Sequence, residues 1–169
     1  GFVQATEAGE RLLCTSVVDG LADAAVVADL YAGCGAFSFA LVGAGKRVKA
    51  AEAAAGHVAA LDAAARRAGV DQKVAVERRD LVRRPLGREE LAGLDGVVLD
   101  PPRPGAAAQI RSLAASPVPA IAYVSCNPAS FTRDAAALVA GGYRLNHVIP
   151  VHQFTWSTHL ELVGLFKKD

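Results

Sequence analysis

The residue of this chain with the clearest chemical potential is a cysteine that lies where a strand is predicted to stop. Cys126 directly follows the apolar run Ala120–Ser125, and the Asn127-Pro128 pair after it is typical of a helix start. The free N–H groups and the dipole of such a helix favour a thiolate. Since a core thiol would more naturally lie in mid-strand, the position favours a nucleophile, and a small buried residue is the alternative.

One reaction needs such a thiolate together with a separate base. Carbon 5 of a pyrimidine is a poor nucleophile, but a thiolate that adds to carbon 6 makes it enolate-like and able to attack a methyl donor. A general base must then remove the proton from carbon 5. Glu161 is an isolated carboxylate at the start of the predicted strand 159–166, with His159 two residues earlier on the same face. We therefore predict Cys126 as nucleophile and Glu161 as base, with an exposed edge-strand glutamate as the alternative.

A glycine loop follows the first predicted strand and reads Asp29-Leu30-Tyr31-Ala32-Gly33-Cys34-Gly35. Gly33 and Gly35 let the backbone turn tightly and approach a ligand closely. A dinucleotide-binding loop would carry a third glycine or an alanine at the position of Ser38. A phosphate-binding P-loop would carry a lysine, which is absent here. The loop therefore predicts a ligand other than a phosphate anchored at this helix.

Acidic residues at three strand ends narrow the choice of ligand. Asp29, before the glycines, suits an ammonium group, and Glu52 ends the second strand, where a carboxylate can accept both hydroxyls of a ribose. Asp80 ends the third strand. Together with the loop, these acids predict S-adenosylmethionine. The alternative is a tight turn with acids that only cap helices.

A third motif, Asp100-Pro101-Pro102-Arg103, follows the fourth predicted strand. Methyltransferases that act on amino groups of bases carry D/N-P-P-Y/F, in which the aromatic residue stacks on the target ring. Arg103 replaces that aromatic residue here. A methyltransferase for an amino group or for cytosine carbon 5 stays open as an alternative, as does a rigid exit from the strand.

Regular elements that could position these residues alternate along the chain. The pattern of apolar residues predicts strands at 26–30, 47–52, 73–80, 96–100, 120–125, 143–150 and 159–166, and helices at 6–21, 37–42, 54–68, 110–115 and 128–140. This alternation predicts an α/β, doubly wound, Rossmann-like domain over residues 1–169, with a mostly parallel sheet and an antiparallel last strand. Ligands of such sheets bind at the carboxyl ends of the strands, and the start of the reversed last strand lies on the same edge.

Composition limits the class of protein. The chain has 169 residues, of which 52% are apolar and 21% charged, so we expect one folded domain with a single core. Three dispersed cysteines match no disulfide framework or zinc pattern, and no apolar run is long enough for a membrane span. We expect a cytoplasmic monomer without a metal. The absence of methionine and the start at Gly1 predict a C-terminal fragment of a longer protein.

The motifs together resemble the catalytic domain of the RNA 5-methyluridine (uracil-C5) methyltransferases. The matching segments are F-x-Q at Phe2–Gln4, D-L-Y-x-G-x-G at Asp29–Gly35, D-P-P-R-x-G at Asp100–Gly105, S-C-N-P with R-D at Ser125–Pro128 and Arg133-Asp134, and T-x-H-x-E, one residue shorter, at Thr158–Glu161. The resemblance covers nearly the whole chain and implies the class I methyltransferase fold.

The resemblance also implies roles for particular residues. It makes Cys126 the nucleophile and Glu161 the base, and it places cofactor contacts on Gln4, Tyr31 and Asp100 in addition to Glu52. It further implies S-adenosylmethionine as cofactor and a transfer or ribosomal RNA as partner. A fragment that binds cofactor without catalysing transfer is the remaining alternative, which the net charge of +1 and the missing start of the chain motivate.

Overall fold

The computed structural model describes residues 7–152 and 160–168. Within them the chain alternates between helices and strands, as the apolar pattern predicts. The elements in chain order are α1 (Glu7–Gly20), β1 (Val26–Leu30), α2 (Ala36–Gly43), β2 (Arg47–Glu52), α3 (Ala55–Arg67), β3 (Val74–Arg78), α4 (Arg88–Leu91), β4 (Gly96–Leu99), α5 (Ala107–Ala114), β5 (Ala120–Ser125), α6 (Pro128–Ala140), β6 (Arg144–His152) and β7 (Leu160–Lys167).

The strands form one sheet in the order β3-β2-β1-β4-β5-β7-β6. Strands β1 to β5 pair in parallel, whereas β7 pairs antiparallel with both β5 and β6. This confirms the predicted doubly wound sheet and its antiparallel last strand. The chain runs out to the edge in β6 and returns in β7, which inserts next to β5.

Burial of the strands explains their order. Strands β4 and β5 are buried along their whole length, and β1 is buried from its second residue onward. Such continuous apolar runs are typical of central parallel strands covered on both faces. In β2 buried and solvent-facing residues alternate over its first four positions, as expected nearer an edge.

Two hydrophobic clusters cover the two faces of the sheet. Leucines of α1, α2 and α3 (Leu13, Leu41 and Leu61) pack on one face. Residues of α4, α5 and α6 (Leu91, Ile110, Leu113, Phe131 and Leu138) pack on the other. These layers keep the sheet rigid and leave its carboxyl-terminal edge free for side chains that do chemistry.

The predicted boundaries of β1, β2, β5 and α6 are confirmed residue for residue. The prediction for β3 was too long, because Arg79 leaves the strand and turns its guanidinium towards Glu90. The short helix α4 was not predicted. It has a single turn, whose Glu90 accepts from the N–H of Gly87 and from Arg79, so tertiary contacts rather than periodicity define it.

No helix among the described residues has the length and apolar character that crossing a bilayer requires.

Candidate functional site

A cleft of about 610 Å³ opens at the carboxyl-terminal edge of the parallel strands. Tyr31, Gly33, Glu52 and Asp80, which follow or end β1, β2 and β3, line one half of it. The other half is lined by Asp100 after β4, Cys126 after β5, and Glu161 near the start of β7. The structure therefore brings most of the predicted site residues into one cavity.

The pairing of β5 with β7 places the predicted nucleophile and base side by side. Ser125 is the register partner of Leu162 in this antiparallel ladder. Cys126 directly follows Ser125, and Glu161 directly precedes Leu162 on β7. Adjacent strands lie about 4.8 Å apart. The insertion of β7 next to β5 thus creates this juxtaposition, which would not exist if β6 occupied that position.

The start of α6 has the geometry expected for the segment after Cys126. The side-chain oxygen of Asn127 accepts from the N–H of Ala129, so Asn127 caps the helix, and Pro128 takes its first position. The Asn127 amide group also donates to the main-chain oxygen of Arg103 at 3.0 Å. Cys126 itself is exposed to the cleft, as a nucleophile must be.

Charges in the cleft act on the Cys126 thiol in both directions. Desolvation and the nearby carboxylate of Glu161 raise its pKa, and Asp100 adds to this effect. Local backbone hydrogen bonding and the positive charge of Arg103 act in the opposite sense. The net shift is upward, so the helix start does not by itself produce the low-pKa thiol that the sequence suggested.

Asp100 connects the two halves of the cleft. Its N–H donates to the carbonyl oxygen of Leu30 at 3.2 Å, which ties the exit of β4 to that of β1. The surface of Asp100 is open to the cavity. The protein atoms that surround its carboxyl group nevertheless desolvate it, and the nearby Glu161 and Asp29 carry negative charge. These effects raise the pKa of Asp100 above its ordinary value.

The glycine loop has the tight backbone that its sequence predicts. Gly33 and Gly35 both have positive φ angles, of 55° and 95°. A Cβ atom on Gly35 would overlap Cδ1 of the buried Leu61 in α3, so packing as well as conformation favours glycine there. Tyr31 also has a positive φ, of 63°, which is uncommon for a residue with a side chain.

Glu52 fastens this loop to β2 and still faces the cleft. Its Oε2 accepts from the N–H of Gly33 at 2.9 Å, and its Oε1 accepts from the N–H of Ala54 at 2.7 Å. The imidazole of His57, which also lines the cleft, lies 3.9 Å from Oε1. Each carboxylate oxygen has further acceptor capacity, so Glu52 can bind hydroxyl groups of a ligand.

Asp29 and Gly35 do not line the cleft, in contrast to the prediction of direct ligand contact. Asp29 is completely buried, and its Oδ2 accepts from the hydroxyl of Ser38 at 2.6 Å. Burial raises the pKa of Asp29 to about 6 despite this hydrogen bond, with a further increase from Glu52. In the structure these two residues shape the loop from below, where Asp29 joins the end of β1 to α2.

Asp80 begins a loop that forms one wall of the cleft. Its Oδ1 accepts from the N–H of Val82 at 3.0 Å, and Val82, though apolar, is 67% exposed and lines the cavity. Arg79 holds the far side of this loop by donating to the carbonyl oxygens of Arg84 and Pro85. No sequence signal indicates this buried role of Arg79, because the residue stands in an Arg78-Arg79 doublet that is typical of a solvated surface.

Two predicted residues, Gln4 and the accompanying His159, lie outside the described residues. Among the described residues, no group of three or more histidine, cysteine, aspartate or glutamate side chains is arranged to hold a metal ion.

Comparison with protein families gives a match to the model described as tRNA (Uracil-5-)-methyltransferase over residues 12–169. An uncharacterized RNA methyltransferase of Zymomonas mobilis is 50% identical over 99% of this chain and 41% of the relative. The 23S rRNA (uracil(1939)-C(5))-methyltransferase RlmD of Chromohalobacter salexigens is 42% identical over 85% of this chain and 29% of the relative.

A solved structure has a similar fold. The tRNA (uracil-54, C5)-methyltransferase of Pyrococcus abyssi, in complex with S-adenosyl-L-homocysteine, matches 98% of this chain and 40% of its own chain, with a TM-score of 0.82 and 26% identity. The chain thus spans about two fifths of the length of the first curated relatives that it matches.

Proposed function

The chain belongs to the tRNA (uracil-5-)-methyltransferase family, and we propose that it transfers a methyl group from S-adenosylmethionine to carbon 5 of a uridine in RNA. We further propose that residues 1–169 act as one methyltransferase domain. A monomeric state and a cytoplasmic location stay predictions from the sequence.

The observation that carries this proposal is the juxtaposition of Cys126 and Glu161. Each is the sequence neighbour of a residue in the paired position Ser125–Leu162 of β5 and β7. Both line the cleft that also contains Glu52 and Asp100. A thiol, a carboxylate and a separate binding half are the three parts that methylation of a pyrimidine carbon needs.

The residues in the other half of the cleft fit S-adenosylmethionine. Glu52 can accept from the ribose hydroxyls, and the glycine loop leaves the backbone at Gly33 bare, with no atom within 4 Å of the position where a Cβ would be. The hydroxyl of Tyr31 is buried and has no hydrogen-bond partner among the described residues, which suits a polar ligand atom. Asp80, Asp100 and Gln4 complete the proposed cofactor contacts. Asp29 and Gly35 support the loop, and the buried Oδ1 of Asp29 has no hydrogen-bond partner among the described residues.

The cofactor supplies an electrophilic methyl group, and the residues of this chain prepare the uridine to accept it. The Cys126 thiolate adds to carbon 6, which places electron density on carbon 5 for attack on that methyl group. Glu161 then removes the proton from carbon 5, and the electron pair of that C–H bond expels the thiolate from carbon 6. The ring regains its double bond and Cys126 is free again.

A mechanism-based trap tests this chemistry. Fluorine at carbon 5 cannot leave as a proton, so RNA that contains 5-fluorouridine should accumulate as a covalent adduct with the protein in the presence of S-adenosylmethionine. Peptide mass spectrometry should locate the adduct on Cys126. The variant Cys126→Ala should form none, whereas Cys34→Ser, which removes another exposed cysteine, should form it normally.

Two results would contradict the proposal. An adduct that persists in Cys126→Ala would assign the chemistry to another residue. Tight binding of S-adenosylmethionine without any transfer to RNA would favour a cofactor-binding module over an enzyme.

A further inference from the structure

The second turn of α6 carries a polar pair, Arg133 and Asp134, that the proposed chemistry does not use. The side chain of Asp134 is almost completely buried, yet both of its oxygens are satisfied. Oδ2 accepts from the N–H of Ala106 at 2.8 Å and from the hydroxyl of Tyr123 at 2.7 Å. Oδ1 accepts from the Arg133 guanidinium at 2.7 Å and 2.9 Å. A buried carboxylate with this many donors is held in one geometry.

The same pair is hydrogen-bonded to the loop that follows β4. Arg133 donates from Nη2 to the carbonyl oxygen of Pro104 at 2.9 Å, next to the Ala106 N–H that Asp134 binds. Between them Gly105 has a φ of 83°, and a Cβ there would lie 2.6 Å from both Arg133 Nη2 and Asp134 Oδ2. Glycine therefore lets the loop lie directly against α6.

Asn127, the residue after Cys126, makes a second connection to the loop that follows β4. Its amide donates to the carbonyl oxygen of Arg103, and its own main-chain oxygen accepts from the hydroxyl of Ser130 in α6. The loop after β4 is thus fastened at Arg103, Pro104 and Ala106 to α6 and to the residue that follows Cys126.

We propose that Asn127, Arg133 and Asp134 form a clamp that sets the position of Arg103 relative to the Cys126 thiol. Asp100 lies outside the clamp, because its N–H is held by the carbonyl oxygen of Leu30. This inference rests on the proposed function and assigns these three side chains as positioning residues. Without the clamp, the loop after β4 and the segment that carries Cys126 would still form, but their relative position would not be fixed. Displacement of a reacting group by about 1 Å can cost on the order of 100-fold in rate.

The clamp predicts separate effects on nucleophile placement and on cofactor binding. Arg103 places positive charge near Cys126, while Glu52, the proposed acceptor of the ribose hydroxyls, ends β2 in the other half of the cleft. Loosening the clamp should therefore slow adduct formation and leave the affinity for S-adenosylhomocysteine nearly unchanged.

The experiment uses Arg133→Met, a change at a half-exposed side chain, with Arg133→Lys as the conservative variant. The rate of the 5-fluorouridine adduct should fall about 10- to 100-fold in Arg133→Met and recover in part in Arg133→Lys. The midpoint of the pH profile for alkylation of Cys126 by iodoacetamide should move to higher pH. The reason is that the positive charge of Arg103, which lowers the pKa of the thiol, would lie farther from it. Affinity for S-adenosylhomocysteine, measured by calorimetry, should stay within about twofold of that of the unmodified protein, because the groups proposed to bind the ribose lie on other strands.

Arg66→Met is the matched control, because Arg66 pairs with Asp62 on the surface of α3. It should leave all three readouts unchanged. An adduct rate and an alkylation midpoint in Arg133→Met that equal those of the control would overturn the clamp. A parallel loss of S-adenosylhomocysteine binding would also overturn it, in favour of a general structural role. If the unmodified protein forms no adduct, the proposed function fails, and the alkylation profile, which needs no RNA, still decides on the clamp.

Discussion

Cys126 illustrates how one side chain can have opposing electrostatic neighbours. Besides desolvation, the carboxylates of Glu161 and Asp100 raise the pKa of its thiol, whereas the positive charge of Arg103 lowers it. A carboxylate next to the thiol disfavours the thiolate, yet the proposed reaction needs this same carboxylate as a base. The site thus combines a less acidic thiol with a nearby carboxylate that can act as the base.

This opposition gives a prediction for Glu161→Gln. Removing the negative charge should lower the pKa of the Cys126 thiol, because one of the causes that raise it is then absent. The midpoint of the alkylation profile should move to lower pH, and alkylation at pH 7.5 should become faster. Site-resolved mass spectrometry of iodoacetamide-treated protein measures both effects.

The exposed Cys34 of the glycine loop serves as the internal reference in that measurement. Its profile should stay the same in Glu161→Gln. A midpoint for Cys126 that stays in place or rises would show that Glu161 does not act on the thiol.

Among the elements, the glycine loop between β1 and α2 has the strictest backbone requirements. We expect Gly35→Ala to destabilise the fold by about 1–3 kcal/mol, because a side chain at positive φ is strained. Its Cβ would also overlap Leu61 of α3. Binding of S-adenosylhomocysteine should weaken as well, since the loop would shift away from Glu52. Urea unfolding and calorimetry measure the two effects.

Gly43→Ala is the matched control for this change. Gly43 ends α2, and a Cβ there meets no atom within 4 Å. Its stability should be unchanged or higher by about 0.5–1 kcal/mol. Equal unfolding free energies for the two variants would contradict the assigned role of Gly35.

Among the residues that the structure describes, the functional edge of the sheet draws on six of its seven strands. A ligand that binds across this edge should therefore stabilise the entire fold. At a hundredfold excess over its Kd, S-adenosylhomocysteine should add about 2.7 kcal/mol to the free energy of unfolding. For a domain of this size that amount raises Tm by roughly 5–10 °C, which thermal unfolding followed by circular dichroism can measure.

Glu52→Ala should abolish most of this increase in Tm, because it removes the proposed ribose acceptor and the anchor of Gly33. The control is Glu89→Gln, an exposed acid of α4 away from the cleft. An unmodified protein whose Tm does not respond to the ligand would contradict the proposed cofactor. An unchanged response in Glu52→Ala would contradict only the role of Glu52.

Much of the fold could be predicted from the sequence, because its signals are local. Continuous apolar runs identify the buried strands β1, β4 and β5, and Asn127-Pro128 identifies the start of α6. The acids and the cysteine at strand ends are readable in the same way, since every parallel strand has its carboxyl end on one edge. Alternation of strands and helices thereby determines the fold class and the edge where the site lies.

Only the tertiary structure decided how those residues relate to one another. Insertion of β7 next to β5 makes Glu161 a neighbour of Cys126, and strand order depends on packing across the whole sheet. Burial places Asp29 beneath the glycine loop and outside the lining of the cleft, which its position at a strand end did not indicate. Long-range hydrogen bonds from Arg133 and to Asp134 likewise connect α6 to the loop after β4. No local pattern reveals this connection, because the partners are 28 or 29 residues apart.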